Sequence, residues 1–211
     1  MDNNMIWMKQ VQEIALLYPE EIRFLSTLVG EVQDKDGLIV DIGTFKGGSS
    51  ISLAMGLKQK GIKEKVYTID NYEHFTYEDD AQEDEDEEGD WGLNGKMRTA
   101  FLENVKKFHL QDYIVSIFDD STNYFKQTCE PIKLMFYDGS NMADKVLEDL
   151  SLVASRIVYG GYICLHDFHN VEIYGGNVKK AVDIFLEKNH EFEFVNKLGE
   201  TGVIRRRCRN V

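Results

Sequence analysis

At 211 residues and 24.3 kDa, with 43% hydrophobic and 11% aromatic residues, the chain is long enough for one α/β domain and too apolar for wholesale disorder. Its net charge of −13 and pI near 4.8 argue against capture of a nucleic-acid backbone. Ten of those charges sit between Glu78 and Asp90, and the remainder of the chain stands at only −3.

The first elements are helical. Val11, Ile14, Leu17, Ile22, Leu25 and Leu28 recur at near-helical spacing between Trp7 and Leu28, and Pro19 divides the stretch into two short helices. Residues 1–36 thus form a helical preface to a single domain spanning 1–211. Gly37 to Gly43 reads as an apolar strand ending in a turn, and Ser49 to Lys60 as the helix after it. Lys65 to Asp70 is the second strand, followed by an acidic insertion over residues 71–95 flanked by His74 and Trp91. Dense like charge makes that insertion a solvated loop in the first instance; as a lid it would select against anionic substrates.

The helix from Lys96 to His109 carries Met97, Phe101, Val105 and Phe108 on one stripe. Tyr113–Phe118 (strand), Ser121–Thr128 (helix), Ile132–Asp138 (strand), Ala143–Val153 (helix) and Tyr162–Asp167 (strand) continue the alternation. It predicts a Rossmann-like, doubly wound, mostly parallel sheet, because parallel neighbours need crossover connections. After a helix from Val178 to Lys188, two strand-like pieces, Glu191–Asn196 and Gly202–Arg207, lie close enough for a C-terminal antiparallel hairpin.

Cys129, Cys164 and Cys208 are an odd, widely spaced set without a CxxC pair, which fits reduced thiols rather than a disulfide frame or zinc site. The acidic N-terminus has no apolar h-region and no stretch reads as a membrane span, so a cytoplasmic protein is expected.

Chemistry concentrates at the predicted strand ends. In Asp41-x-Gly43-x-x-x-Gly47-Gly48 the glycines allow a tight turn and close approach of a ligand to bare backbone. The spacing is neither the G-x-G-x-x-G dinucleotide fingerprint nor a P-loop. Asp41 is placed to meet a ligand cation or to order the turn. Asp70 ends the second strand, where an acid commonly accepts hydrogen bonds from ribose hydroxyls. Asp138 and Asp167 end the fourth and fifth strands, so neighbouring strand ends offer two hard oxygen ligands, a set suited to Mg²⁺. A divalent cation there would lower the pKa of a nearby hydroxyl. His166 and His169, beside Asp167, are further candidates for ligand or general base.

Four runs carry a family resemblance: Val40 to Ser50, Tyr67 to Asp70, Met135 to Gly139, and Gly160 to Asp167. In this order they resemble the class I methyltransferases, and more narrowly the metal-assisted O-methyltransferases that modify macrolide sugars and other small polyhydroxylated products. The resemblance implies S-adenosylmethionine as cofactor. Asp41, Gly43, Gly47 and Ser49 would hold its methionine end, Asp70 its ribose, and Asp120 and Ser121 its adenine. It implies a small-molecule acceptor and leaves a homo-oligomer open, while charge and hydropathy predict neither nucleic acid nor membrane as partner. Two positions depart from the pattern: Asn141 stands where relatives often carry a histidine, and Phe168 where a second acid commonly follows Asp167. The competing readings are a nicotinamide-dependent oxidoreductase on the same sheet and a non-catalytic S-adenosylmethionine-binding domain.

Overall fold

A computed structural model describes residues 3–72, 96–170 and 175–208. The acidic insertion, with His74 and Trp91, lies outside the described residues. Helices α1 (Asn3–Gln12) and α2 (Pro19–Glu31) precede the sheet. The stretch is divided into two helices as expected, with Pro19 starting the second at the N-terminal position where its missing N–H costs nothing. The alternating elements are β1 (Leu38–Ile42), α3 (Gly48–Lys60), β2 (Val66–Ile69), α4 (Lys96–Lys107), β3 (Ile114–Ile117), α5 (Ser121–Gln127), β4 (Ile132–Tyr137), α6 (Ala143–Val153) and β5 (Ile157–Leu165). The chain closes with α7 (Asn177–Lys188), β6 (Phe192–Leu198) and β7 (Thr201–Arg206).

The seven strands run in the order β3-β2-β1-β4-β5-β7-β6, with β1 to β5 parallel and β7 antiparallel to both of its neighbours. The order reverses between β1 and β4, which is where such a sheet opens a binding crevice beyond its carboxyl ends. Only Gly199 and Glu200 connect β6 to β7, a shorter loop than the sequence suggests, with Gly199 at φ 57 taking the positive-φ position.

β5 also begins five residues earlier than expected. The Gly160-Gly161 pair is a kink within the strand: pairing with β4 jumps from Ile132–Ile157 to Leu134–Tyr162, with Gly160 at φ 72.

Strand alternation sends side chains into two cores, one on each face. Ile39, Leu134, Phe136, Cys164 and Val203 pack with α1 to α4. Val40, Ile42, Met135, Tyr137, Ile163, Leu165 and Ile204 pack with α5, α6 and α7. On the first face α3 lies so close to α2 that a Cβ on Gly56 would stand 2.2 Å from the Ser26 carbonyl oxygen. In an open helix Gly→Ala adds about 1 kcal/mol of stability. Here Gly56→Ala is expected to destabilise by about 1–3 kcal/mol through overpacking, and the sign is read from urea unfolding.

Candidate active site

The site is built at the carboxyl ends of the parallel strands. After β1 the chain turns left-handed at Gly43 (φ 78), Phe45 (φ 48) and Gly47 (φ 96) before entering α3. Asp70, one residue past β2, holds that turn. Its Oδ2 accepts the Thr44 amide at 2.7 Å and the Phe45 amide at 3.1 Å, and its Oδ1 accepts the Tyr72 amide at 2.8 Å.

The glycines work differently from the expectation that their missing side chains face a ligand. A Cβ on Gly43 would stand 2.1 Å from the Asp138 carbonyl oxygen, one on Gly47 would meet the Phe101 ring at 2.9 Å, and one on Gly48 would meet Ala15 at 2.3 Å. Their bareness therefore lets β1 and β4 close on each other and lets the α1–α2 connection and α4 approach the turn. Gly43 and Gly48 still line the cleft, whereas Gly47 does not.

Asp41 lies one layer behind the cleft. It is fully buried, and its Oδ2 accepts the Ser49 hydroxyl at 2.9 Å and the Ser50 hydroxyl, tying β1 to the first turn of α3. Its Oδ1 is buried with no hydrogen-bond partner among the described residues. Burial pushes the carboxyl up to about 7 against the pull of the two serines. A carboxyl whose folded pKa exceeds its unfolded value favours folding while protonated; the contribution is complete below 3.8 and lost as the pH rises through about 7. The stability of Asp41→Asn relative to the parent should therefore rise by a few kcal/mol from pH 4 to pH 8 in urea unfolding. A difference flat with pH would contradict the burial of a titrating carboxyl.

At the β3 end, Asp120 caps α5 by accepting the Asn123 amide at 3.1 Å, and Ser121 opens the helix. Both line the cleft beside Asp119. Below them Asp149 is buried in a network that sequence reasoning missed. It accepts the Tyr137 hydroxyl at 2.8 Å and Lys145 Nζ at 2.6 Å, while Lys145 also reaches the Thr122 hydroxyl at 2.6 Å.

At the β4 and β5 ends, Asp138, His166 and Asp167 converge, each offering one ligand atom within 4.8 Å of the others. His166 Nδ1 lies 3.5 Å from Asp138 Oδ1 and 3.7 Å from Asp167 Oδ1. Nε2 lies 3.8 Å from Oε1 of Glu21 on α2. Burial alone would lower the imidazole pKa, but the surrounding carboxylates outweigh it and hold His166 well above its ordinary value. Without a metal His166 is therefore held as a cation, and to ligate one it gives up the proton on the coordinating nitrogen. Burial raises the Asp138 carboxyl above the usual range despite His166. Burial likewise acts on Asp167, but His166, Asn170 and Asn141 hold it below that range.

His169 does not join this group. Asp167 takes a left-handed conformation (φ 52) and Phe168 buries against Gly202 and stacks on Phe194, so His169 leaves on the exposed side, edge-on to Phe168. It does not line the cleft.

All of this surrounds one cleft of about 1110 Å³, running from Leu16, Tyr18 and Met142 at the rim to Asp119, Asp120 and Ser121. That is room for a drug-sized cofactor with a second small molecule beside it. Besides Asp70, Asp119, Asp120, Asp138, Asp149, Asp167 and Glu200, it is lined by His166 and Lys145, and Lys145 is neutralised by Asp149. Such a cleft favours cationic or neutral ligands.

Fold and cleft define a class: a doubly wound α/β protein with an acid-rich site at the switch point, shaped for a nucleoside cofactor. The narrower assignment comes from comparison. Residues 40–168 match the family model of the methyltransferase domain, and the chain belongs to that family as an S-adenosylmethionine-dependent methyltransferase. It is similar to the O-methyltransferase NovP at 17% identity, covering 93% of this chain and 83% of that one, with a TM-score of 0.67. It is likewise similar to the O-methyltransferase from Bacillus cereus in complex with SAH (17%, 97% and 90%, TM-score 0.63). The O-methyltransferase TomG from Streptomyces achromogenes, in complex with SAM, matches at 16% identity over 99% of this chain and 91% of that one, with a TM-score of 0.64. These likenesses establish the shared fold, and the family match does not favour the nicotinamide reading. Among the described residues no helix is long and apolar enough to cross a membrane.

Proposed function

We propose that the protein transfers the methyl group of S-adenosylmethionine to a hydroxyl of a small molecule, assisted by a divalent cation. The observation that carries this reading is the convergence of Asp138, His166 and Asp167 inside the cleft bounded by the glycine turn. When bound, the cofactor supplies an electrophilic methyl on a sulfonium; the cation supplies charge that lowers the pKa of an adjacent hydroxyl.

The residues fit both groups. Gly43, Ser49 and Asp70 face the cleft for the methionine end and the ribose, and Asp120 and Ser121 for the adenine. Asp41 and Gly47 act from behind, by shaping the turn. Two carboxylates and one imidazole nitrogen suit Mn²⁺ as well as Mg²⁺. As the acceptor oxygen forms its bond to the methyl carbon, the C–S bond breaks and the hydroxyl proton leaves. In this reading Asp138, which lines the cleft beside His166, takes it. Leu16, Tyr18 and Met142, apolar yet exposed at the rim, would cover the acceptor and exclude water.

The test uses S-adenosylmethionine labelled in its methyl group and a panel of neutral sugars and phenols, with Mg²⁺, Mn²⁺ or EDTA. The reading predicts label on oxygen that EDTA abolishes. Label on nitrogen or carbon alone, or turnover indifferent to EDTA, contradicts it.

A further inference from the structure

Glu21 is an acid in the middle of an apolar face. On α2 it shares a stripe with Leu25 and Leu28 and is fully buried. Its Oε2 accepts the Tyr18 amide at 2.7 Å, closing the start of the helix. Its Oε1 accepts the Glu200 amide at 2.9 Å and the Thr201 hydroxyl at 2.7 Å, from the far end of the chain. Gly199 is bare against it: a Cβ there would lie 2.8 Å from the Glu21 carboxyl carbon. Among the described residues no lysine or arginine pairs with this carboxylate, and the cation facing it is His166, with Nε2 at 3.8 Å. That Nε2 is itself buried and lacks a hydrogen-bond partner.

We propose that Glu21 is a positioning residue that directs His166 Nδ1 toward the candidate metal site by receiving the proton on Nε2. The inference rests on the metal reading above. An imidazole that gives one nitrogen to a cation keeps its proton on the other, and a carboxylate behind that proton fixes the tautomer and ring orientation. Nδ1 already faces Asp138 and Asp167, and Glu21 stands on the opposite side. The same carboxylate holds Tyr18, beside Leu16 and Leu17 on the cleft wall, so it ties the acceptor side of the cleft to the metal ligands.

The experiment measures Mn²⁺ affinity by calorimetry in the parent, Glu21→Gln and Thr201→Val. Glu21→Gln keeps the shape and an acceptor oxygen for Glu200 and Thr201 but loses the charge. Thr201→Val removes one anchor of Glu21 and leaves the carboxylate facing His166. A weakening of roughly 10–100-fold in Glu21→Gln, with parent-like affinity in Thr201→Val, is expected. Equal affinity in parent and Glu21→Gln, or equal weakening in both variants, overturns the proposal. A parent that binds no Mn²⁺ sinks the metal reading and the proposal together, a result distinct from the first two.

A second measurement needs no variant of Glu21. In ¹⁵N-histidine protein with Zn²⁺ as diamagnetic probe, His166 should show a metal-bound Nδ1 and a protonated Nε2, its signals identified by their loss in His166→Gln. Metal on Nε2 overturns the proposal even where Glu21→Gln fails to fold.

Discussion

Asp138→Asn should lower methyl transfer by roughly 10²–10⁴-fold, the range expected for loss of a proton acceptor, while S-adenosylhomocysteine binds within a few-fold of the parent. The separation follows from position. Asp138 sits just past β4, its side chain about one third exposed to the cleft and 3.5 Å from His166. The groups that face the proposed cofactor site, Asp70, Asp120 and Ser121, come from the end of β2 and the start of α5. Asparagine keeps the shape and an acceptor oxygen but takes no proton at neutral pH. It also removes one anionic ligand, so metal affinity should fall in parallel. Steady-state kinetics with calorimetric titration of S-adenosylhomocysteine checks both halves. A loss of turnover matched by an equal loss of cofactor binding would place Asp138 in the cofactor site instead.

Gly43→Ala should cost about 2–5 kcal/mol of folding stability and abolish cofactor binding. Two effects add there. The residue has φ 78, and its new Cβ would be driven to 2.1 Å from the carbonyl oxygen of Asp138, rigid backbone that cannot swing aside. The displaced segment carries Asp138 and Gly139, so the damage passes directly to the site. Gly61→Ala isolates the first effect: it has φ 67 at the end of α3, but nothing lies within 4 Å of a Cβ there. It should cost only about 1–2 kcal/mol. Equal losses in the two variants, read from urea unfolding, would show that backbone conformation and not the approach of β4 sets the requirement for glycine.

Much of the architecture was legible because periodicity and punctuation agree in this chain. The strands from Leu38, Val66, Ile114 and Ile132 are short apolar runs closed by turn residues, and the helix Ala143–Val153 has the bounds the alternation gave it. β5 was underestimated because a glycine pair within a strand has the same local signature as a turn, and only the partner strand reveals a bulge. The strand-end acids were legible one by one. Their division of labour was not, because it depends on which layer each carboxylate occupies: Asp41 lies behind the cleft, Asp70 clasps the turn, and Asp138 and Asp167 share a histidine. His169 looked equivalent to His166 at a distance of three residues, and the left-handed turn at Asp167 separates them. Glu21 left a faint trace, a charge on the buried stripe of α2 in a first turn where acids are ordinary. Its partners Glu200 and Thr201 lie 179 and 180 residues away, beyond any local pattern.

Whether this cleft is built for S-adenosylmethionine is tested most directly by calorimetric titration of the full chain with S-adenosylhomocysteine and, separately, with NAD⁺. Saturable binding of S-adenosylhomocysteine at one site per chain, weakened by Asp70→Ala and absent with NAD⁺, is the predicted result. Binding of NAD⁺ in preference, or no binding of S-adenosylhomocysteine with or without Mn²⁺, would contradict the account.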